Sequence, residues 1–236
     1  MKPYYSDESV TLFHGDCLEI TDWLEADALV TDPPYGRGWV SGSGMTNSHG
    51  RGLGSKASGG IANDGDTKVR DAALYEWHGR VPDDRDALPA IVFGDPLIAQ
   101  PGRAVQALVY AKAADAGIKG ARAGMRRDVE MIYLCGYWPS AVGGRSSILR
   151  SRRWVAGPTA PATVHGHPHA KPTDLLEDLV GLTSGVIADP FAGSGSTLVA
   201  ARNLGRKAIG VEIEERYCEV IANRLSQGVL DFGSAS

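Results

Sequence analysis

The stretch Ala28-Leu-Val-Thr-Asp-Pro-Pro-Tyr-Gly36 decides how the rest of the chain is interpreted. Its first three residues are a short apolar run stopped by turn residues, a pattern typical of the end of a buried strand. Asp32 then lies at the carboxyl end of that strand, where open α/β sheets hold their ligands. Pro33 has a fixed φ, Pro34 favours extended geometry at Pro33, and neither has an amide hydrogen. We therefore predict a stiff corner that presents the Asp32 carboxylate, the Pro33 carbonyl and the Tyr35 ring to one small volume.

These three groups suit a flat base that carries an exocyclic amine. The carboxylate and the carbonyl can accept the amine hydrogens, and the ring can stack on the base. Taken alone, the tetrapeptide also fits an ordinary strand followed by a proline-rich turn.

A second pattern, Gly185-Val-Ile-Ala-Asp-Pro-Phe-Ala-Gly-Ser-Gly-Ser-Thr197, predicts a buried strand, a tight Gly-rich turn and a helix that ends at Gly205. Its glycines would let a ligand approach the backbone at a helix N-terminus. A P-loop requires Lys where Ser196 stands, and a dinucleotide fingerprint requires Gly or Ala where Leu198 stands. Lys207 to Ile213 predicts the next strand, whose acid Glu212 can accept hydrogen bonds from ribose hydroxyls.

Both patterns resemble motifs of one family. Asp32-Pro-Pro-Tyr35 followed by Gly resembles the catalytic tetrapeptide of amino-group DNA methyltransferases, which modify adenine N6 or cytosine N4. The run from Asp189 to Thr197 resembles the S-adenosylmethionine loop of the same family, and the catalytic-before-cofactor order resembles its permuted β class. The resemblance extends from Val10 to Leu225. It implies a Rossmann-like α/β methyltransferase fold, mostly parallel with helices on both faces of the sheet, in a single domain of residues 1–236.

The resemblance also implies roles for individual residues. His167-Pro-His-Ala-Lys-Pro172 is similar to the family's His-Pro-Thr-x-Lys-Pro segment, with His169 in place of Thr. Asp16 matches the family's acid for the cofactor's adenine amine, although a helix N-cap explains it as well. The predicted catalytic residues are Asp32, Pro33, Pro34 and Tyr35. The predicted S-adenosylmethionine-binding residues are Asp16, Lys171, Asp189, Phe191, Ala192, Gly193, Ser194, Gly195, Thr197, Glu212 and Ile213.

The implied reaction is site-specific methylation of the N6 amine of a flipped adenine in double-stranded DNA, as in restriction-modification. Methylation of cytosine N4 is the nearest alternative, and Asp rather than Ser at residue 32 favours adenine in this family. An RNA methyltransferase and an inactive relative that binds DNA or cofactor also stay open.

The net charge of −4 is unusual for a DNA-binding protein, but the charge is unevenly distributed. Between Arg103 and Arg153 we count ten basic and three acidic residues, a net charge of +7. Such a segment can be a phosphate-binding face or merely a solvated one. The family resemblance implies a target-recognition insert at residues 139–166, which overlap this segment, with Arg145, Arg150, Arg152 and Arg153 as predicted nucleic-acid contacts.

Residues 41–60 hold seven glycines and five serines, a composition that predicts either a surface linker or a flap that closes on DNA. The histidines at 165, 167 and 169 resemble a metal cluster in spacing, but no cysteine or paired acid is near them in sequence. We therefore predict no metal.

Composition agrees with a globular enzyme, with 43% hydrophobic and 22% charged residues. The three cysteines are scattered, which favours reduced thiols in a cytoplasm. No apolar run is long enough for a membrane span, and the N-terminus has no apolar signal core. A homodimer is compatible with these features.

Overall fold

The computed structural model describes residues 1–37, 62–81, 87–112, 128–138, 144–152 and 170–230, without the side chains of the last three. The strands are β1 (Tyr5–Ser6), β2 (Val10–His14), β3 (Ala28–Thr31), β4 (Ala90–Gly94), β5 (Ala104–Ala111), β6 (Val129–Cys135), β7 (Ile148–Leu149), β8 (Ile187–Asp189) and β9 (Ala208–Glu212). The α-helices are α1 (Lys68–Gly79), α2 (Thr173–Val180), α3 (Ser196–Asn203) and α4 (Glu215–Leu230). Among them, none combines the length and the apolar character needed to cross a membrane.

The described strands form one sheet in the order β1-β2-β9-β8-β3-β4-β6-β5-β7. Strands β2, β9, β8, β3 and β4 are mutually parallel, whereas β6 runs antiparallel to both β4 and β5. The N-terminal strand β3 therefore pairs directly with the C-terminal strand β8, with Leu29 opposite Ala188. This pairing brings the two halves of the chain together at the centre of the sheet.

Side chains on the two faces of the sheet belong to two separate cores. Val30 packs in a core that includes the apolar sides of α2, α3 and α4, and its neighbour Leu29 packs in a core with α1 and Trp23. Because successive strand residues point to opposite faces, both cores draw on the same strands. The prediction of a mostly parallel sheet with helices on both faces is confirmed.

One predicted helix is wrong in extent. With Asp16 as its N-cap, the sequence predicts a short helix from Cys17 to Leu24, but the structure has a 3₁₀ helix over Asp22–Glu25. The Cys17 carbonyl accepts a hydrogen bond from the buried Trp23 indole at 2.9 Å. In a continuous α-helix the Cys17 carbonyl would accept a backbone amide four residues later, whereas here it accepts the Trp23 side chain.

The sequence also predicts a helix after Pro172 with one apolar stripe, and helix α2 matches this prediction closely. Leu175, Leu176, Leu179 and Val180 are all buried, as an apolar stripe predicts. Pro172, predicted at the first helical position, is instead the N-cap, with an extended ψ of 131°. The residue before it, Lys171, therefore lies immediately outside the helix.

Candidate active site

The carboxyl ends of β3, β8 and β9 lie side by side and carry Asp32, Asp189 and Glu212. The Thr31 hydroxyl donates a hydrogen bond to Asp189 Oδ1 at 2.7 Å and is buried with it. This bond joins the strand end before the tetrapeptide to the start of the Gly-rich loop, although 158 positions separate the two residues. The sequence patterns that are remote along the chain therefore meet at neighbouring strand ends.

The Asp32 carboxylate is bonded through both of its oxygens. The Tyr35 hydroxyl donates to Oδ1 at 2.7 Å, and the Lys171 ammonium donates to Oδ2 at 2.5 Å. Lys171 also reaches the Tyr35 hydroxyl at 3.2 Å. Pro33 is buried, and Pro34 and Tyr35 are half-buried around this group. Burial and the Asp32 charge raise the pKa of Tyr35 well above its ordinary value, so the hydroxyl stays a donor.

Lys171 lies at this corner, not on the Gly-rich loop. Its side chain is only 7% exposed, and its ammonium lies 5.0 Å from the centroid of the Phe93 ring and 5.5 Å from that of Tyr35. Burial disfavours the charge, yet the carboxylates of Asp32 and Glu130 together raise the pKa of Lys171 above its ordinary value. The predicted role of Lys171 in cofactor binding stays a prediction, and its direct partners are Asp32 and Tyr35, two of the predicted catalytic residues.

Sequence analysis missed Glu130, which lies on β6 and is nearly buried. Its Oε1 pairs with the Lys112 ammonium at 2.6 Å, and its Oε2 lies 3.4 Å from Lys171 Nζ. Burial opposes its charge, but the two ammonium groups lower the pKa of Glu130 to about 2. The available signal was a single acid inside the apolar strand Val129–Cys135, since such acids are rarely buried without a partner.

Two further acids hold the chain that leaves the tetrapeptide. The buried Asp64 accepts hydrogen bonds from the amides of Gly36 at 2.8 Å and Arg37 at 3.2 Å. The Arg37 guanidinium pairs with the buried Asp95, which follows β4. The corner is therefore fixed on its downstream side. The predicted flap, residues 41–60, lies outside the described residues.

Glu212 joins the Gly-rich loop to the end of β9. The amides of Gly193 and Glu214 donate to Oε2 and Oε1 of Glu212 at 2.7 and 2.8 Å. Burial raises the pKa of Glu212 to about 7, and these bonds only partly compensate. Burial likewise raises the pKa of Asp189 to about 6, against the hydrogen bonds from Thr31 and Thr197.

The other predicted cofactor-binding residues surround this loop. The Phe191 amide donates to Asp189 Oδ1 at 3.2 Å, and the Ala192 amide donates to the Val211 carbonyl of β9 at 3.0 Å. Ser194, Gly195 and Thr197 are buried at the start of α3.

Asp16 and Ile213 lie at the outer end of the same edge. The Gly15 amide bonds the Glu212 carbonyl at 3.0 Å, so Asp16 follows a strand end beside Glu212. Asp16 Oδ1 accepts the Leu18 amide at 2.9 Å, which is the predicted cap-like bond, and Ile213 is partly exposed. The structure thus brings all predicted cofactor-binding residues to one edge of the sheet, with Lys171 beside Asp32.

The predicted nucleic-acid arginines differ in their surroundings. Arg145 and Arg150 are exposed on either side of β7, the last strand at that edge of the sheet. The Arg152 guanidinium pairs with Asp178 of α2 at 2.8 Å, and its amide bonds Asp174. Arg153 lies outside the described residues, as do positions 139–143 and 153–166 of the predicted insert.

Metal ligands are not clustered in the described ranges. Within them, no group of three or more His, Cys, Asp or Glu side chains is arranged to hold a metal ion. The histidines at 165, 167 and 169 lie outside these ranges.

Residues 128–224 match the N6_N4_Mtase family model, which is described as DNA methylase. The matched range includes the Gly-rich loop, Lys171, Glu130 and Glu212, and it begins after the Asp32 corner. Type II methyltransferase M2.LlaDCHI of Lactococcus lactis subsp. cremoris is 42% identical over 65 residues, which are 26% of this chain and 24% of that protein. The putative methylase YubD of Escherichia coli (strain K12) is 40% identical over 75 residues, 30% of this chain and 33% of that protein.

The matched regions thus span about a quarter to a third of the length of these curated relatives. Solved structures agree over nearly the whole chain. PvuII DNA methyltransferase (cytosine-N4-specific) superposes with a TM-score of 0.60 at 16% identity, covering 98% of this chain and 93% of that one. The M1.HpyAVI–SAM complex gives a TM-score of 0.57 at 18% identity, covering 92% and 98%. At such identities the likeness shows a shared fold, which confirms the predicted Rossmann-like class.

The family match over residues 128–224 and the fold of nearly the whole chain are therefore both similar to those of DNA methyltransferases of the N6-adenine/N4-cytosine type.

Proposed function

We propose that this protein transfers a methyl group from S-adenosylmethionine to the exocyclic amine of a base flipped out of double-stranded DNA. Adenine N6 is the proposed target, and one domain, residues 1–236, is proposed to carry the whole activity. The observation that supports this most directly is the Thr31–Asp189 bond, since it joins a base-binding corner to a Gly-rich loop at adjacent strand ends.

The residues at the Gly-rich loop suit the cofactor. Each Glu212 oxygen accepts one backbone amide and keeps a further lone pair, so the carboxylate can also accept both hydroxyls of a ribose. Its raised pKa supports this role, because a buried carboxylate gains from further donors. Asp16, one strand away, is the proposed acceptor for the adenine amine. When bound, S-adenosylmethionine supplies a methyl group on a positively charged sulfur.

The chain's part in the reaction follows from the weak nucleophilicity of an aromatic amine, whose lone pair is delocalised into the ring. Hydrogen bonds from the amine to Asp32 and to the Pro33 carbonyl would localise that lone pair. The Tyr35 ring would hold the flipped base in line with the methyl group. The nitrogen–carbon bond forms as the carbon–sulfur bond breaks, and the amine then loses one proton.

Adenine is proposed over cytosine because residue 32 is Asp, which resembles the adenine-specific type. Cytosine N4 is the second candidate, and the match in fold to a cytosine-N4-specific enzyme is the observation that favours it. Sequencing DNA from cells that express the protein, with methylated bases identified at each position, decides between them.

The first prediction concerns Asp32. We expect Asp32→Ala to bind S-adenosylmethionine normally and to lose about a hundredfold or more in methyl transfer, because the acceptor for the amine is gone. Transfer of labelled methyl groups to unmethylated plasmid DNA measures this, with calorimetry for the cofactor. Asp22→Ala, which removes a partly exposed acid of the 3₁₀ helix, is the matched control. Near wild-type transfer by Asp32→Ala would remove the proposed role.

A further inference from the structure

Both oxygens of the Asp32 carboxylate already accept hydrogen bonds in this structure. Its Oδ2 holds the Lys171 ammonium at 2.5 Å, and its Oδ1 holds the Tyr35 hydroxyl at 2.7 Å. A carboxylate that is paired so closely with a cation is a weaker acceptor for a neutral amine. Asp32 would therefore accept the amine of a target base more strongly if Lys171 withdrew from it.

Lys171 has little access to water. Its side chain is 7% exposed and lies against the rings of Phe93 and Tyr35. A buried ammonium that left one carboxylate without reaching another would lose the interaction that keeps it charged. The ammonium therefore requires a second acceptor close by.

Glu130 supplies that acceptor. Its Oε2 is buried and lies 3.4 Å from Lys171 Nζ, which is longer than a charge-assisted hydrogen bond. Among the described residues, this oxygen has no hydrogen-bond partner of ordinary geometry. Its other oxygen is paired with Lys112 at 2.6 Å. Glu130 is thus an acceptor within a small movement of Lys171.

We infer that Glu130 is a positioning residue that receives the Lys171 ammonium when the target amine enters, and so frees Asp32 Oδ2 to accept it. The inference rests on the proposed function, because it assumes an amine as the group that enters. The carboxylates of Asp32 and Glu130 and the ammonium groups of Lys112 and Lys171 lie in one cluster before and after this movement. The buried charge therefore stays balanced. Glu130 lies far from Asp32 in the sequence and outside both sequence motifs, so the sequence does not indicate that the two carboxylates share Lys171.

Glu130→Gln tests this, because the amide keeps the shape and removes the charge. We expect methyl transfer in a single turnover to plasmid DNA to fall about tenfold or more, while S-adenosylmethionine affinity stays near wild type. Lys112→Gln is the matched comparison, since it removes the other ion pair of the same carboxylate and leaves Oε2 charged. We expect it to change the rate less than about threefold.

The outcomes separate the two proposals. If wild type transfers methyl groups and Glu130→Gln does so at the same rate, the inference is wrong and the proposed function stands. Equal losses in both variants would show a structural role for Glu130 and also overturn the inference. A wild type that methylates no DNA would remove the proposed function and the inference with it.

A structural measurement covers the case in which Glu130→Gln fails to fold. In a crystal of wild type with S-adenosylhomocysteine and a duplex containing the mapped target base, Lys171 Nζ should lie within about 3.0 Å of Glu130 Oε2 and farther from Asp32 Oδ2. Retention of the present arrangement, with the target amine bound, would overturn the inference.

Discussion

The Glu212 carboxylate is buried, and hydrogen bonds from a ribose diol would favour its charged form. Its side chain is held by two backbone amides, and burial still raises its pKa to about 7. Near neutral pH a substantial fraction of the unliganded protein therefore carries a neutral carboxylic acid at this position. A ligand that donates hydrogen bonds to the charged form binds with release of a proton.

We expect the affinity for S-adenosylmethionine to rise with pH up to about 7 and then to level off. Below that pH the acid must first lose its proton, so affinity should fall by up to about tenfold per pH unit. Asp189, whose pKa is raised to about 6, adds to the fall at lower pH. Calorimetry from pH 5.5 to 8.5 measures the profile, and Glu212→Gln should bind more weakly with a flatter one. An unchanged profile in that variant would assign the titration to another group.

Asp32, Asp189 and Glu212 were predictable because each follows a short apolar run, and parallel strands present their carboxyl ends at one edge. Glu130 and Lys171 were not predictable as a pair. Their contact depends on β6 running antiparallel beside β4, and nothing local in the sequence specifies that neighbour.

The turn between β8 and α3 depends on a glycine that approaches another helix. Gly195 has φ +76°, and a Cβ at this position would lie 2.8 Å from Cγ1 of Ile221 on α4. The sequence predicted a glycine for close approach of a ligand, and the structure adds a helix packed behind the loop. Gly205, after α3, has φ +67°, but a Cβ there would meet nothing within 4 Å among the described residues. Comparing the two glycines therefore separates backbone strain from crowding.

We expect Gly205→Ala to lower the free energy of unfolding by about 1 kcal/mol, because alanine is strained in the left-handed region. Gly195→Ala should lower it by about 3 kcal/mol, because the contact with Ile221 adds to the same strain. Urea denaturation measures both, and only Gly195→Ala should also weaken cofactor binding. Equal losses of stability would show that α4 moves aside freely.

In the whole sheet, β3 pairs with β8, so the two motifs lie side by side at one edge although their order along the chain is permuted. The order of the two motifs along the chain predicted this arrangement, since it resembles a known permutation. At the far edge, the sequence predicts a strand over Val105–Ala111, which agrees with β5, but it predicts no strand at β7. The two-residue strand β7 lies in an arginine-containing stretch whose pattern is too short to indicate a strand.

The basic segment that contains β7 provides the final prediction, because the protein as a whole is acidic, with a net charge of −4. Arg145 and Arg150 are exposed, whereas the Arg152 guanidinium is already paired with Asp178. If the exposed pair contacts phosphates, Arg145→Ala/Arg150→Ala should reduce the slope of log affinity for duplex DNA against log salt concentration by about 2, since each phosphate contact contributes about one. Arg152→Ala should change that slope much less, because its charge is already balanced within the protein. Fluorescence anisotropy with a labelled duplex at several salt concentrations measures the slopes. Equal slopes for wild type and the double variant would mean that these arginines form a solvated face, and that the DNA-binding charge lies elsewhere on the protein.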